Sequence, residues 1–236
     1  MKNKQQIIGL VGGMGPFAGV AFCRLLLEKS SRNFGAKNAD DFPEIILDSV
    51  RIPDFISDTK NLPMAKRTLV SRVRRLSKFG CTTIAMVCNT GHILFPILSK
   101  VSTCKMISII EVVKNKVVSS KLKRVGLLAT RTTFKSNIFT NAFIGTDVEI
   151  VIPNEEIVNI CEDVIRSVIA NKLSDKHTTE LLRVVDKFVK EQELDGIVLG
   201  CTELPLAFPK DRSKNIIDCL DVLSDKLLND FFGLSD

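Results

Sequence analysis

The 236-residue chain contains no tryptophan and no tyrosine, and only two of its residues are histidine. Proteins that bind single-stranded nucleic acids stack the bases on aromatic side chains, so this composition argues against a nucleic-acid partner. Two histidines also argue against a zinc site, and no metal is predicted. No apolar run approaches the ~20 residues that a membrane-spanning helix needs, so no membrane partner is predicted either.

The chain has seven cysteines, an odd number, and none of them forms a CxxC pair. At this length the pattern argues against a disulfide scaffold and predicts free thiols, most of them packed as small apolar groups. The N-terminal stretch has lysines but no convincing signal-peptide core or cleavage site. We therefore expect a cytoplasmic protein.

The net charge is +6, and the densest basic stretch is KRTLVSRVRRLSK, residues 66–78. On a helix its apolar residues face one way and its arginines mostly face outward, which is typical of a solvated helix face. A mild positive field of this kind would still help an anionic small molecule to arrive.

Short apolar runs alternate with longer amphipathic segments along the whole chain, which predicts strands alternating with helices. The apolar runs are 7–12, 44–50, 82–88, 105–110, 124–130, 148–153, 196–201 and 215–218. The helices are expected near 17–32, from Pro63 to Gly80, from about 110 to 118, near 134–143, and at 155–170, 178–191 and 219–232. Continuous apolar strands are buried on both faces, so the fold class is α/β with parallel sheets flanked by helices.

The pattern restarts near residue 124, which indicates an internal repeat. IIGLVGGMGP aligns with RVGLLATRTT, placing Gly9 over Gly126, and the run ending at Cys88 aligns with the run ending at Cys201. Two pseudo-symmetric halves follow from this alignment. We expect an N-terminal half at 1–115 and a C-terminal half at 116–210, with the C-terminal helical segment 211–236 packing back on the first half.

Ligands of open parallel sheets bind beyond the carboxyl ends of the strands, so Cys88 and Cys201 are expected to meet in a cleft between the halves. Each cysteine lies before a predicted helix, where backbone N–H groups and the helix dipole are expected to favour the thiolate. One thiolate taking a proton from carbon, while the opposed thiol returns one, inverts a stereocentre without a cofactor. Polar groups next to the cysteines and in the loops after the first strand of each half are candidates to bind the substrate's carboxylate and ammonium groups. These candidates are Gly15, Asn89, Thr90, Thr130, Arg131, Thr133, Thr202 and Glu203.

Four segments, GGMGP, CNTGH, GLLATRTTFKS and GCTELPL, together resemble the aspartate/glutamate racemase family. They occur in the family's order and at compatible spacings, so the resemblance spans residue 7 to about residue 218. It implies a pseudo-symmetric two-domain α/β fold and 1,1-proton transfer without pyridoxal phosphate, with Cys88 and Cys201 as catalytic residues. It further implies a homodimer and a small amino-acid substrate, aspartate first and glutamate next. Residues implied to line the substrate site are Met14 and its loop, Asp54, Asn89, Thr90, Thr133 and Thr202.

Two positions depart from the pattern of aspartate racemases in this family. Phe55, in the segment RIPDF, stands where an arginine is common, and Ile169 lies about where a lysine is common. The resemblance implies that those basic groups contact the distal carboxylate of the substrate. A buried carboxylate without a basic partner is costly. Therefore either Arg51, Arg131 or Arg166 substitutes for them, or the substrate lacks that carboxylate.

Several alternatives stay open at this point. The chain could catalyse another reaction of the superfamily (hydantoin racemase, decarboxylase or maleate isomerase), act as a non-catalytic amino-acid-binding module, or use its thiols in redox chemistry. His92 either polarises the site or makes a structural hydrogen bond at a helix start. Glu203 either orients a substrate ammonium group or caps a helix. The remaining cysteines are expected to pack in the core.

Overall fold

The structure is a computed structural model that describes residues 6–56, 58–209 and 215–234. Within these ranges the strands are β1 (Ile7–Gly12), β2 (Glu44–Ser49), β3 (Thr83–Met86), β4 (Lys105–Ile107), β5 (Arg124–Leu128), β6 (Glu149–Val151), β7 (Gly196–Leu199) and β8 (Ile216–Asp218). The helices are α1 (Pro16–Phe34), α2 (Leu62–Lys78), α3 (Phe95–Val101), α4 (Ile109–Ser119), α5 (Arg131–Ser136), α6 (Ile138–Ala142), α7 (Glu155–Ile169), α8 (Asp175–Glu191), α9 (Leu204–Ala207) and α10 (Cys219–Phe232).

The strands form two parallel four-stranded sheets with the same internal order, β2-β1-β3-β4 and β6-β5-β7-β8. The apolar strands have helices over them, as expected for a parallel sheet buried on both faces. The predicted α/β class with two similar halves is confirmed. None of the helices in the described part of the chain has the length and apolarity to cross a membrane.

The register of the two sheets repeats as well as their order. Gly9 of β1 pairs with Ile84 of β3, and Gly126 of β5 pairs with Ile197 of β7. Cys88 lies four residues beyond Ile84, and Cys201 lies four residues beyond Ile197. The two cysteines therefore occupy corresponding positions, just past the carboxyl ends of the inner strands β3 and β7.

The loop between β1 and α1 is held tightly against the end of β2. Gly13 has φ +89°, and a β-carbon there would lie 2.3 Å from the carbonyl oxygen of Val50. The Val50 N–H donates to the carbonyl of Gly12 at 3.1 Å. Pro16 then occupies the first turn of α1, where its missing N–H costs nothing. The glycines thus let the chain turn sharply and bring Met14 and Gly15 to the carboxyl edge of the sheet.

The C-terminal helix α10 packs against α1 and α4 of the first half. A shared apolar cluster includes Leu26 of α1, Val113 of α4 and Leu223 of α10, and Lys29 of α1 forms ion pairs with acidic side chains of α10. Strand β8, just before α10, belongs to the second sheet, so the end of the chain contacts both halves. Residues 211–214 and 235–236 of the segment 211–236 lie outside the described residues, and the division at 115 and 210 stays a prediction.

The short helices α3 and α9 were not predicted, and two further elements have bounds that differ from the sequence-based prediction. The helix expected near 134–143 is two short helices, because Asn137 takes the left-handed conformation with φ +55° and ends α5. The strand expected at 105–110 ends at Ile107, because the side chain of Ser108 accepts from the Glu111 N–H and starts α4 there. Both differences in bounds come from local capping at Asn137 and Ser108, which cannot be predicted from the spacing of apolar residues.

Candidate active site

Cys88 lies in a buried turn at the carboxyl end of β3, and its sulfur accepts a hydrogen bond from the Gly91 N–H at 3.3 Å. The residues that follow form a short 3-10 helix, Thr90–Leu94. His92 belongs to this turn, and both of its ring nitrogens are engaged: Nδ1 donates to the Cys88 carbonyl at 2.8 Å, and Nε2 accepts from the Ile109 N–H at 3.1 Å. His92 therefore makes structural hydrogen bonds that tie the Cys88 loop to α4.

Cys201 occupies the matching position after β7, and its thiol donates to Oε2 of Glu203 at 3.1 Å. The Thr202 hydroxyl donates to the same oxygen at 3.0 Å. Glu203 precedes α9 but makes no side-chain cap hydrogen bond to it, so the helix-cap alternative for this residue is wrong. Its carboxyl group turns instead toward the cysteine loop.

Three threonine hydroxyls join the two halves beside the thiols. Thr90 Oγ1, in the first half, lies 3.1 Å from Thr130 Oγ1 and 2.9 Å from Thr133 Oγ1, both in the second half. Thr130 and Thr133 are themselves 3.0 Å apart, and Thr130 caps α5 by accepting from the Thr133 N–H. All three are buried. The candidates Thr90, Thr130 and Thr133 thus form one hydroxyl cluster across the interface.

Two buried oxygen atoms in the loops that follow the cysteines accept no hydrogen bond from the described residues, namely Oδ1 of Asn89 and Oε1 of Glu203. The Asn89 amide is oriented by Cys219, because Nδ2 donates to the Cys219 sulfur at 3.2 Å. Buried acceptors without a donor are costly. The pair is suited to a ligand that carries several N–H donors.

Burial raises the pKa of both candidate cysteines, which corrects the expectation that their setting favours the thiolate. For Cys88 the pKa rises to about 12; burial is the largest cause and the charge of Glu203 the next, while the Gly91 and Thr90 N–H groups act in the opposite direction. For Cys201 the pKa rises well above 9.0 for the same two leading reasons, with Cys88 as a further contributor. Desolvation thus outweighs the backbone donors. The mutual influence of Cys88, Cys201 and Glu203 places them in one electrostatic cluster.

The loop that carries Met14 and Gly15 touches both cysteine loops. The sulfur of Met14 lies 3.5 Å from the position that a β-carbon on Gly91 would take. A β-carbon on Gly15 would be 1.5 Å from Oε1 of Glu203, so its backbone lies directly against that carboxyl group. The Met14–Gly15 loop therefore packs against both cysteine loops.

A pocket of about 130 Å³ opens on the outer side of this loop. Its walls come from both halves: Met14, the segment 52–56, and Arg166 and Ile169 of α7. The Thr132 N–H donates to the Ile56 carbonyl at 3.4 Å, which ties the segment to α5. The pocket therefore adjoins the thiol cluster with the Met14–Gly15 loop between them, and neither Cys88 nor Cys201 lines its walls.

Two of the three arginines that the sequence offered as carboxylate partners are engaged with acidic side chains. Arg131 lies beside α7 and forms ion pairs with Glu155 at 2.7 Å and Glu162 at 3.2 Å. Arg166 forms an ion pair with Asp54 at 2.6 Å, at the rim of the pocket. Arg51 is exposed and does not line the pocket. Of the three, only Arg166 borders the pocket, and there it is already paired.

Sequence reasoning did not identify Cys219 as a neighbour of the site and placed it in the core. The structure shows it fully buried, with its sulfur on the Asn89 amide. The only available signal was its position: it directly follows β8, a strand adjacent to β7 in the same sheet. Across the described residues, no group of three or more His, Cys, Asp or Glu side chains is placed to hold a metal ion.

The fold and the site together define a class of protein: two similar parallel α/β halves that bring one buried thiol each to a shared polar cluster, beside a pocket of about 130 Å³. The family model "Asp/Glu/Hydantoin racemase" matches residues 11–226. This match covers most of the chain, which therefore belongs to the Asp/Glu/hydantoin racemase family of isomerases.

Individual relatives agree with the family. The broad specificity amino-acid racemase RacX of Bacillus subtilis is 24% identical over 200 residues, covering 84% of this chain and 86% of the relative. A glutamate racemase of Trichormus variabilis is 34% identical over 92 residues, which is 39% of this chain and 30% of that protein. Among solved structures, the Picrophilus torridus aspartate racemase superposes with a TM-score of 0.79 at 27% identity, covering 95% of this chain and 94% of that one.

Proposed function

We propose that the chain is a cofactor-independent amino-acid racemase in which Cys88 and Cys201 exchange protons with the two faces of the substrate α-carbon. The observation that carries this proposal is the matched position of the two thiols, four residues past corresponding register points in β3 and β7. Both thiols border one buried cluster with Glu203. Family membership supports the reaction class.

In this proposal one cysteine, as thiolate, removes the α-proton while the other, as thiol, donates a proton to the opposite face. The proton count balances, because one sulfur gains the proton that the substrate loses and the other supplies its replacement. The reverse reaction uses the same groups with their protonation states exchanged. Asn89 Oδ1 and Glu203 Oε1, which accept no hydrogen bond from the described residues, are suited to accept hydrogen bonds from the substrate ammonium group. The hydroxyls of Thr90 and Thr133 are suited to its carboxylate.

The raised pKa values of the thiols require a route to the thiolate, and Glu203 supplies one. Its Oε2 already accepts the hydrogen bond from the Cys201 thiol at 3.1 Å, and burial raises the pKa of the Glu203 carboxyl group, which makes the carboxylate a stronger proton acceptor. A bound ammonium group adds positive charge beside both sulfurs, which lowers the pKa of a thiol. The low-dielectric surroundings strengthen these interactions.

The test is exchange of the α-hydrogen in D2O, followed by NMR, over the proteinogenic amino acids of both hands. Aspartate and glutamate belong in the first assay, since they are the acids named for relatives of this chain. We expect Cys88→Ser and Cys201→Ser each to abolish racemisation while leaving exchange of one enantiomer. Cys23→Ser, which changes a half-buried thiol of α1, serves as the matched control.

Three outcomes would contradict the proposal. Wild-type rates of interconversion in either site variant would show that the two-base assignment is wrong. Binding of amino acids without any exchange would favour a non-catalytic module. Conversion of another substrate class, such as a hydantoin or maleate, would point to another reaction of the superfamily.

We also propose a homodimer, as the resemblance implies. Phe17, Val20 and Leu27 lie on one face of α1 at helical spacing, and each is more than 40% exposed. Sedimentation or light scattering reports the oligomeric state directly. A monomer at micromolar concentration would contradict it. The cytoplasmic location and the domain limits at 115 and 210 stay predictions.

A further inference from the structure

We propose that the pocket beside the Met14–Gly15 loop takes the side chain of the substrate, and that this side chain is neutral and apolar rather than acidic. The inference rests on the proposed racemase function and names the substrate class for the same site.

The position of the pocket makes it the place for a substrate side chain. Its inner wall is the Met14–Gly15 loop, and that loop touches both thiol loops, at Gly91 and at Glu203. An amino acid whose α-carbon lies between Cys88 and Cys201 has only its side chain free to extend away from the polar cluster. The pocket formed by the segment 52–56 and α7 lies across the Met14–Gly15 loop from that position, so the loop must shift for the side chain to reach it.

The inner surface of the pocket is apolar. Met14, Phe55 and Ile56 are almost fully buried, and Ile52 and Ile169 complete the wall. Apolar walls favour an apolar side chain, because both surfaces are then removed from water. The volume of about 130 Å³ is close to the ~150 Å³ of an apolar cavity that holds benzene, so a side chain of the size of leucine or methionine fits.

The charge at the rim is already balanced. Arg166 is the only cationic side chain among the described residues that line the pocket, and its Nη2 lies 2.6 Å from Oδ2 of Asp54. The other oxygen of Asp54 accepts from the Ile56 N–H at 3.1 Å, so the carboxylate is fixed in place. A substrate carboxylate entering this pocket would meet apolar walls, and the negative charge of Asp54 would already lie beside Arg166. That arrangement disfavours an acidic substrate.

The decisive experiment combines two readouts on the full chain. Thermal-shift titration with methionine, leucine, alanine, aspartate and glutamate, each in both hands, reports binding, and α-hydrogen exchange in D2O reports turnover. We expect methionine or leucine to bind and exchange with a kcat/KM at least about tenfold above that of either acid, a difference of about 1.4 kcal/mol.

Asp54→Asn removes the carboxylate that neutralises Arg166. We expect the ratio of kcat/KM for acidic amino acids to kcat/KM for apolar amino acids to rise by about tenfold or more. Asp58→Asn makes the same charge change in an exposed residue of the same loop, paired with Lys60 outside the pocket, and should leave the ratio unchanged. A ratio that does not move in Asp54→Asn would overturn the role of the Arg166–Asp54 pair.

The results separate the pocket from the reaction. Stronger binding of aspartate or glutamate to the wild type overturns the proposed substrate class, whatever the exchange rates. Binding of apolar amino acids without exchange supports the pocket and overturns the racemase function. Neither binding nor exchange with any amino acid overturns both.

Discussion

Gly15 and Glu203 lie in contact across the two halves of the molecule. A β-carbon on Gly15 would fall 1.5 Å from Oε1 of Glu203, although the backbone of Gly15, with φ −170°, is extended and suits any residue. Glycine is therefore required here for a steric reason: any larger residue would clash with a side chain 188 positions further along the chain. This contact fixes the carboxyl group next to Cys201.

We predict that Gly15→Ala displaces the Glu203 carboxyl group and with it the partner of the Cys201 thiol. Overpacking of this kind costs about 1–3 kcal/mol of stability, and a 1 Å displacement of a reacting group lowers kcat on the order of 10²-fold. Thermal unfolding and the exchange assay measure the two effects. Gly19→Ala, whose new methyl group would lie 3.4 Å from Leu47 in ordinary contact, should retain activity.

The double variant Gly15→Ala/Glu203→Ala separates the clash from the chemistry. It should regain most of the thermal stability lost in Gly15→Ala, because the obstructing carboxyl group is gone, but it should stay inactive. If Gly15→Ala alone keeps wild-type activity, the assignment of Glu203 to the reaction is wrong.

We predict that Glu203→Gln makes the two site thiols more reactive toward an alkylating reagent. It should still lower turnover, because the carboxylate that accepts the hydrogen bond of the Cys201 thiol is lost. The negative charge of Glu203 is the second cause of the raised pKa of both Cys88 and Cys201. Removing it lowers those pKa values, and a pKa that is lower by one increases the thiolate fraction about tenfold at neutral pH. Site-resolved mass spectrometry of iodoacetamide labelling at pH 8 follows each cysteine separately.

Cys161 provides an internal control for this labelling. Burial also raises its pKa to about 12, but its neighbouring charge is Glu162 rather than Glu203, so its labelling rate should be the same in both proteins. Unchanged labelling of Cys88 and Cys201 in Glu203→Gln would show that the carboxylate does not control the thiols.

We predict that His92 makes the protein lose stability in acid. Burial lowers its pKa from 6.5 to about 4, so the folded state disfavours the imidazolium. Between pH 6.5 and pH 4 the unfolded chain binds a proton that the native state does not. Stability therefore falls as the pH falls through this window, by about 3 kcal/mol in total for this residue.

Urea unfolding of the wild type and of His92→Gln at pH 7 and pH 4 measures this contribution. The variant should be less stable at pH 7, by about 1–3 kcal/mol, because hydrogen bonds to the Cys88 carbonyl and the Ile109 N–H are disturbed. The difference between the proteins should shrink or reverse at pH 4. His177→Gln should keep the acid-dependent loss seen in the wild type. A constant difference at both pH values would argue against a buried neutral His92.

The fold class and the two cysteines were accessible from sequence because both depend on local pattern. Apolar runs buried on both faces predict parallel strands, and the polar residues after Cys88 and Cys201 mark the carboxyl ends where ligands bind. The same reasoning failed for the thiol pKa values. A strand-end position favours the thiolate only while the sulfur remains solvated, and the degree of burial is set by chain segments far away in sequence.

The sequence by itself determined that this is a duplicated parallel α/β chain with one cysteine at the same place in each half. Strand periodicity depends on neighbouring residues, and the repeat is visible when the two halves of the sequence are aligned. Only the tertiary structure decided what surrounds those cysteines. It placed Glu203 against Gly15, paired Arg166 with Asp54, and closed apolar walls around the pocket. The Gly15–Glu203 and Arg166–Asp54 contacts each join residues more than a hundred positions apart, and the pocket walls come from three separate segments. The burial and charge balance at such contacts set the chemistry and the selectivity of a site.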